Sequence, residues 1–465
     1  PAEFGKPLGV LEPSEFVLTF GVDSQDFDWL YGSTQGRLLL PVEGAVRGSV
    51  GVGAKPADVV ADYEGFVVSG NIDRIDLADW VSADGAPAVK TPFSWQIREL
   101  DVGELVIDEL TFTDVFLNAE STADSLALQL EGQDLAGSVD LSDPAIAQID
   151  LLKLRLPALP TDGESFSGNL DPVDLSTGYA LPRAAVFVDR LYLGEKAFGR
   201  WKFDIIPEQD AVRFAVDDIA VNGVRLTDSI LRWDLSQNVS AFSGSVDVED
   251  LAKTLPLWGY APMAKTTTAS VNGNLSWAGS PANFDFVVSE GNLSLAATEG
   301  RFLDIESQGA GLRAVSLLNI TALTKRISFD FSDVIGEGIS FEKVSGVIQL
   351  EDRNLTFIEN LMIESTSSRY EIGGTVDLRN DQLDAQMIIT LPVSDSLPWY
   401  AAYLAFVNPV AGISLAVGER VFRKPIERMS SAKFAVSGGL DDPNVVFTEL
   451  FNRDIAVADA RGERL

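Results

Sequence analysis

From Tyr370 to Leu378 the chain alternates. Tyr370, Ile372, Gly374, Val376 and Leu378 are separated by Glu371, Gly373, Thr375 and Asp377. Leu383, Ala385, Met387 and Ile389 alternate in the same way with Asp384, Gln386, Ile388 and Thr390, and Phe284, Phe286 and Val288 alternate with Asp285 and Val287. A period of two sends successive side chains to opposite sides of an extended backbone, so each run predicts a strand with one apolar and one mostly polar face. The turn signals GNL, RND, EDRN and GSP separate the runs at hairpin distances. The expected fold is mainly β: an elongated, twisted and curled sheet, largely antiparallel and one-sided, that forms an open groove.

A short unit recurs along the chain. It reads SGNID at Ser69, AGSVD at Ala136, SGNLD at Ser167, SGSVD at Ser243, NGNLS at Asn272, SGVIQ at Ser345, GGTVD at Gly373 and SGGLD at Ser437. Successive copies are 67, 31, 76, 29, 73, 28 and 64 residues apart, so long and short steps alternate and each pair spans about 100 residues. Such a period predicts stacked supersecondary units that share one apolar surface. The expected division is 1–136, 137–243, 244–345 and 346–390 for the groove, 391–430 for apolar helices, and 431–465 for a terminal strand and tail. Glycine-aliphatic-aspartate is also ordinary chemistry at a bulge or strand entry. Short edge helices are expected at Asp76–Trp80 and Glu249–Tyr260, each capped by Asp, and a longer one at about Ala310–Thr324.

Composition narrows the function. Lys plus Arg number 35 against 69 Asp plus Glu, a formal net charge of -34. A phosphate-tracking protein needs a basic footprint, so nucleic acid is no expected partner. There is no Cys and no His, which removes zinc sites of the usual kind and Cys or Ser-His nucleophiles. A chain without thiols suits an oxidising compartment. Residues 1–20 have no basic segment followed by a long apolar run, so they do not read as a signal peptide, and the sequence reads as a fragment of a longer protein.

No residue constellation for chemistry stands out. Asp330 and Asp333 read as outer-face and turn residues of a strand carrying Phe329 and Phe331. Asp23, Asp26 and Asp28 lack the glycine and distal glutamate of a calcium loop. No cofactor or metal is expected, and no catalysis. What remains is an apolar β surface that Phe284, Phe286, Val288, Leu293, Leu295, Phe329, Phe331, Ile339, Phe341, Ile372, Val376, Leu378, Met387 and Ile389 would line. These side chains either pack against a second sheet or form a trough for an acyl chain, each buried CH₂ of which gains ~0.8 kcal/mol on leaving water.

Leu397–Gly418 is uncharged over 22 residues. As one helix it would reach about 33 Å, near the ~30 Å of a bilayer core. Asn408-Pro409 interrupts it, so two short amphipathic helices are expected, at about Pro398–Val407 and Pro409–Phe422. Trp399, Tyr400 and Tyr403 favour a membrane interface, and Leu404, Phe406, Ile413, Leu415, Val421 and Phe422 would supply the apolar side. Arg420, Arg423, Lys424 and Arg428 follow, a local cationic cluster fit for anionic head groups. A plug over the end of the trough and a true transmembrane span are the other placements.

The stretch from Gly273 to Leu378 contains GNLSWAGSPANFDF, LLNITALTKRISFDFSDV, GISFEKVSGVIQLEDRNLTF and YEIGGTVDL. It closely resembles the C-terminal region of the YhdP family of AsmA-like envelope proteins. Trp277, Gly279, Pro281, Arg326, Asp330, Phe331, Ser332 and Asp333 occupy the family's motif positions. SGGLDDPNV resembles its terminal strand, with Leu440 where Trp is usual. The specific similarity covers about 270–450. It implies a β-groove that bridges the periplasm and carries glycerophospholipids from inner to outer membrane. The C-terminal end would lie at the outer membrane, with other envelope proteins as possible partners, and the N-terminal inner-membrane helix of family members would lie upstream. Two alternatives differ in class: a calcium-stabilised β-repeat adhesin, and a structural scaffold whose groove is filled by its own side chains.

Overall fold

The computed structural model describes residues 16–20, 25–53, 63–77, 94–107, 110–122, 125–157, 183–258, 262, 264–303, 340–366, 368–392, 429–440 and 443–453. Strands hold 74% of them, so the chain is mainly β. It forms two compact units.

The first unit is built from β1 (Phe16–Phe20), β2 (Asp26–Tyr31), β3 (Thr34–Leu39), β4 (Arg47–Val52), β5 (Phe66–Asp76), β6 (Trp95–Ile107), β7 (Leu110–Ser121), β8 (Leu126–Glu131), β9 (Leu135–Asp140), β10 (Ala147–Leu156), β11 (Ala184–Val188), β12 (Leu191–Leu193), β13 (Lys196–Ala197), β14 (Arg200–Pro207) and β15 (Ala211–Val221). β1 to β4 and β6 to β10 pair antiparallel with their sequence neighbours. β11 pairs antiparallel with β14, and β14 with β15. The direction changes at two places: β4, β5 and β6 run parallel, and β10 runs parallel to β11 and β12. Alternation in sequence reports which face a residue takes, not strand direction, so these parallel junctions carried no signal. A parallel neighbour needs a connection that returns along the strand, which a tight hairpin cannot supply.

β16 (Val224–Asp234) and β17 (Val239–Val248) lie where the two units divide. The second unit holds α1 (Leu251–Leu257), β18 (Ala264–Ala278), β19 (Glu290–Phe302), β20 (Ser340–Glu351), β21 (Asn354–Glu364), β22 (Arg369–Asp377), β23 (Gln382–Pro392), β24 (Met429–Gly439) and β25 (Pro443–Arg453). β18 to β25 form an antiparallel meander in sequence order. At one end of these strands the connections are tight, such as Asp352-Arg353 and 378–381. At the other they include the long stretches 303–339 and 393–428.

One expectation on local structure is corrected. Phe284–Val288 is not a strand. Pro281–Asn283 and Phe286–Val288 are single 3-10 turns. Asp285 caps the second by accepting from the Val287 N–H at 2.9 Å, and the Ser289 hydroxyl donates to its carbonyl at 2.6 Å. A capping carboxylate beside an aromatic residue mimics strand alternation in sequence. Asp76 ends β5, where it pairs with Val106, and Leu77 directly after it is in a 3-10 turn. Asp250 does cap α1, accepting from the Ala252 N–H at 3.1 Å. Ala310–Thr324 lies outside the described residues, as does most of Asp76–Trp80.

The recurring glycine has a defined place. Gly70, Gly137, Gly273, Gly346, Gly374 and Gly438 sit within strands, on the same face as the aliphatic residue two positions later. In the second unit they fall on β18, β20, β22 and β24, every second strand. Gly273 has φ 157°, and a Cβ there would stand 2.0 Å from the Asn292 carbonyl oxygen of β19. The backbones approach too closely for a side chain at that point. Gly273→Ala is therefore expected to lower stability by ~1–3 kcal/mol in urea denaturation. Gly439→Ala, where nothing lies within 4 Å, should change it by less than ~0.5 kcal/mol.

Candidate functional site

The registers align the apolar faces of neighbouring strands into rows. In the first unit one row runs Leu18, Trp29, Gly36, Val50, Val68, Ile97, Ala119, Leu128, Val139, Ile149, Val186, Phe203 and Val216, each paired to the next across β1 to β11, β14 and β15. Every member is apolar or glycine. A parallel row runs Leu100, Leu117, Leu130, Gly137, Leu151, Val188, Trp201 and Ile219. Leu100, Val102, Leu105, Phe112, Val115, Leu135, Leu151, Val188 and Leu191 form one packed cluster on this side.

The second unit repeats the arrangement. Leu275, Gly291, Leu350, Leu355, Val376, Leu383, Gly438 and Pro443 are paired in turn across β18 to β25. A second row holds Ala269, Ala297, Val344, Ile363, Tyr370, Ile389 and Ala432. Between them lie Val271 and Leu295, then Gly346 against the Leu361 backbone, then Ile372, Met387, Phe434 and Phe447. The Phe434 and Phe447 rings meet edge to face at 5.8 Å, and Phe302 and Phe341 close one end at 4.9 Å.

Both apolar faces are largely covered. Val102 and Val115 in the first unit and Ile363, Val376 and Met387 in the second are 0% exposed. The face opens over β1, where Phe16, Leu18 and Phe20 are 60%, 47% and 62% exposed. Burial pushes the Tyr370 hydroxyl above its ordinary pKa, with a hydrogen bond from Ser368 opposing it. The opposite face is polar and zipped by ions. Arg37 donates to Asp28 at 2.8 Å, Arg74 to Glu104 at 3.3 Å, Arg200 to Asp218 at 2.6 Å, and Lys202 pairs with Asp217. Each such exposed pair contributes at most ~1 kcal/mol. Asp28 thus has a cation of its own within the chain.

The structure brings together Leu293, Leu295, Phe341, Ile372, Val376, Met387 and Ile389 on one apolar face, with Leu378 buried just beyond β22. Phe284, Phe286 and Val288 sit instead on the turn after β18, where Phe284 packs edge-on against Trp277 at 5.0 Å. Phe329, Phe331 and Ile339 lie outside the described residues. So do Trp399, Tyr400, Tyr403, Leu404, Phe406, Ile413, Leu415, Arg420, Val421, Phe422, Arg423, Lys424 and Arg428. No first-unit residue was named for this surface, although the groove was expected to include 1–243 and its strands alternate too: LALQL (126–130) and AQIDLL (147–152) carry the signal. Among the described residues no helix is long and apolar enough to cross a membrane.

Fold and site define a β protein that presents one registered apolar face per unit, with ions on the other. The family model described as "YhdP protein" matches residues 1–445, and the chain belongs to that family. A curated relative, the "Intermembrane phospholipid transporter YhdP" of Escherichia coli (strain K12), is 20% identical over 331 residues, 70% of this chain. The match spans 26% of that relative's length. No solved structure matches the chain.

Adjacent residues on opposite faces test the assignment. Met387→Ala should cost ~2–5 kcal/mol through loss of buried contacts and a residual cavity. Gln386→Ala, on the exposed face, should stay within ~0.5 kcal/mol. Equilibrium denaturation of both variants measures the difference.

Proposed function

We propose that this chain is part of a periplasmic bridge that moves glycerophospholipids between the inner and outer membranes. Acyl chains lie along the apolar rows and head groups stay in solvent. The observation that carries this reading is the unbroken registered row, thirteen strands wide in the first unit and eight in the second. Such a surface offers the same environment at every step, which suits sliding along it and not capture at one point. The name of the Escherichia coli relative supports the substrate class. Transfer needs no bond to be made or broken, so no catalysis belongs to this reading. The uncharged stretch 397–418 and the cations after it would contact the outer membrane.

One observation favours a second reading. The rows are mostly shielded from solvent, as they would be in a scaffold filled by its own side chains. Native mass spectrometry on the chain purified from a Gram-negative host separates the two. The transport reading expects co-purified phospholipid, whereas the scaffold expects none. Leu295 is half-buried in the middle row, so Leu295→Asp can be read without loss of the fold, which circular dichroism checks. It is expected to lower bound lipid about ten-fold, the scale of one buried leucine. Unchanged lipid in that variant would count against the rows as the binding surface.

A further inference from the structure

In the second unit the face opposite the apolar rows is not polar throughout. Leu361, Met362 and Ile363 on β21 and Met387, Ile388 and Ile389 on β23 are apolar at three successive positions. A run without alternation gives neither side to water, which predicts burial on both faces. The registers place Met362, Glu371, Ile388 and Lys433 side by side on the face opposite the rows, with Arg369, Thr390 and Ser431 beside them.

This patch is covered. Glu371, Thr390 and Ser431 are 4%, 3% and 0% exposed, and Met362 and Ile388 are half-buried. The Thr390 and Ser431 hydroxyls lie 2.8 Å apart and bond to each other, as buried hydroxyls do where water is kept out. Asp384, Gln386 and Ala435, further along the same face, are exposed. So are Lys265, Arg301 and Ser340, at the same end of β18 to β20. Strands of one sheet lie beside a residue and not above it, so the cover over β22 to β24 comes from outside the sheet. The helix α1 sits at β18, where the Leu251 N–H donates to the Thr266 hydroxyl at 3.1 Å.

Two long connections leave this end of the strands. Residues 303–339 join β19 to β20, whose polar face is exposed there. Residues 393–428 join β23 to β24, and Pro392 stands opposite Met429, so this connection leaves and returns at the patch itself. Tethered at both ends, it meets the patch at an effective concentration on the order of millimolar. It carries Leu397–Gly418, 22 residues without a charge, a length of apolar chain that needs cover. Arg420, Arg423 and Lys424 follow, and they suit a face that holds Glu371, from which Arg369 lies 3.6 Å away.

We propose that, away from a membrane, residues 397–418 dock over Met362, Glu371, Ile388, Thr390 and Ser431, on the face opposite the apolar rows. There the stretch is kept from water without plugging the rows. The inference concerns where the stretch is held and does not depend on lipid transfer.

Photocrosslinking of the purified full chain, without added lipid, tests it. Benzoylphenylalanine in place of Ile388 should couple, within one chain, to peptides from 397–418. The same group in place of Gln386, exposed on that face, or of Ala432, on the apolar face at the same end, should not reach them. Circular dichroism checks that all three proteins fold. Coupling from the Ile388 site to 303–339, to a second chain, to co-purified phospholipid or to nothing overturns the proposal, as does coupling from the Ala432 site to 397–418. Ile388→Asp gives a second readout. A charge beneath the docked stretch should speed chymotrypsin cleavage between Trp399 and Phe406 about ten-fold, the scale of one buried aliphatic side chain, while Gln386→Asp leaves the rate unchanged. Equal rates in the two variants would contradict the docking.

Discussion

Register is the constraint on which the rest depends. Side chains on a strand alternate with a period of two, so a slip of one residue carries an entire apolar set to the other face. Here the pairing is held across strand after strand, so that Leu18 to Val216 and Leu275 to Pro443 form straight rows. Burial of those rows opposes any slip. Where a strand gains a residue, a bulge restores the phase. β6 shows this at Glu99, with φ 49°, where its register with β7 shifts between Ile97 and Leu100. β15 does so at Asp217, where its register with β14 shifts between Lys202 and Phe203.

The glycines belong to the same scheme. Gly137, Gly273 and Gly374 occupy row positions or stand beside them, and their backbones press against the next strand. A sheet bends most easily where one face lacks side chains. The recurring glycine-x-aliphatic unit therefore marks a notch followed by a filled position on one face. Its spacing in the second unit equals one hairpin with its connections, because the marks sit on alternate strands. That is a physical basis for the periodicity, independent of any count of repeats.

Much of this was legible in the sequence. The runs at 370–378 and 383–389 gave their faces correctly because each is one uninterrupted strand with charged or polar outer residues. The run at 284–288 misled because Asp285 caps a turn and Phe284 packs locally on Trp277. Strand direction at β4–β6 and β10–β12 was not legible, since parallel and antiparallel neighbours share the same alternation. Most of the first-unit surface went unread. Its strands are broken by bulges at Glu99 and Asp217, which shift the phase within a short window.

The polar face completes the account. Cross-strand ion pairs there keep the net charge soluble while the rows stay dry, so the two faces offer different solvents to an amphiphile. The most direct test is residue-level mapping of a phospholipid with a diazirine at the end of its acyl chain, crosslinked to the purified chain and read by peptide sequencing. Labels should fall on alternate residues, on Leu293, Leu295, Ile372 and Met387, and skip Ser294, Glu371 and Gln386. Labels spread equally over both parities, or confined to the polar one, would contradict the claim that hydrocarbon rides the registered face.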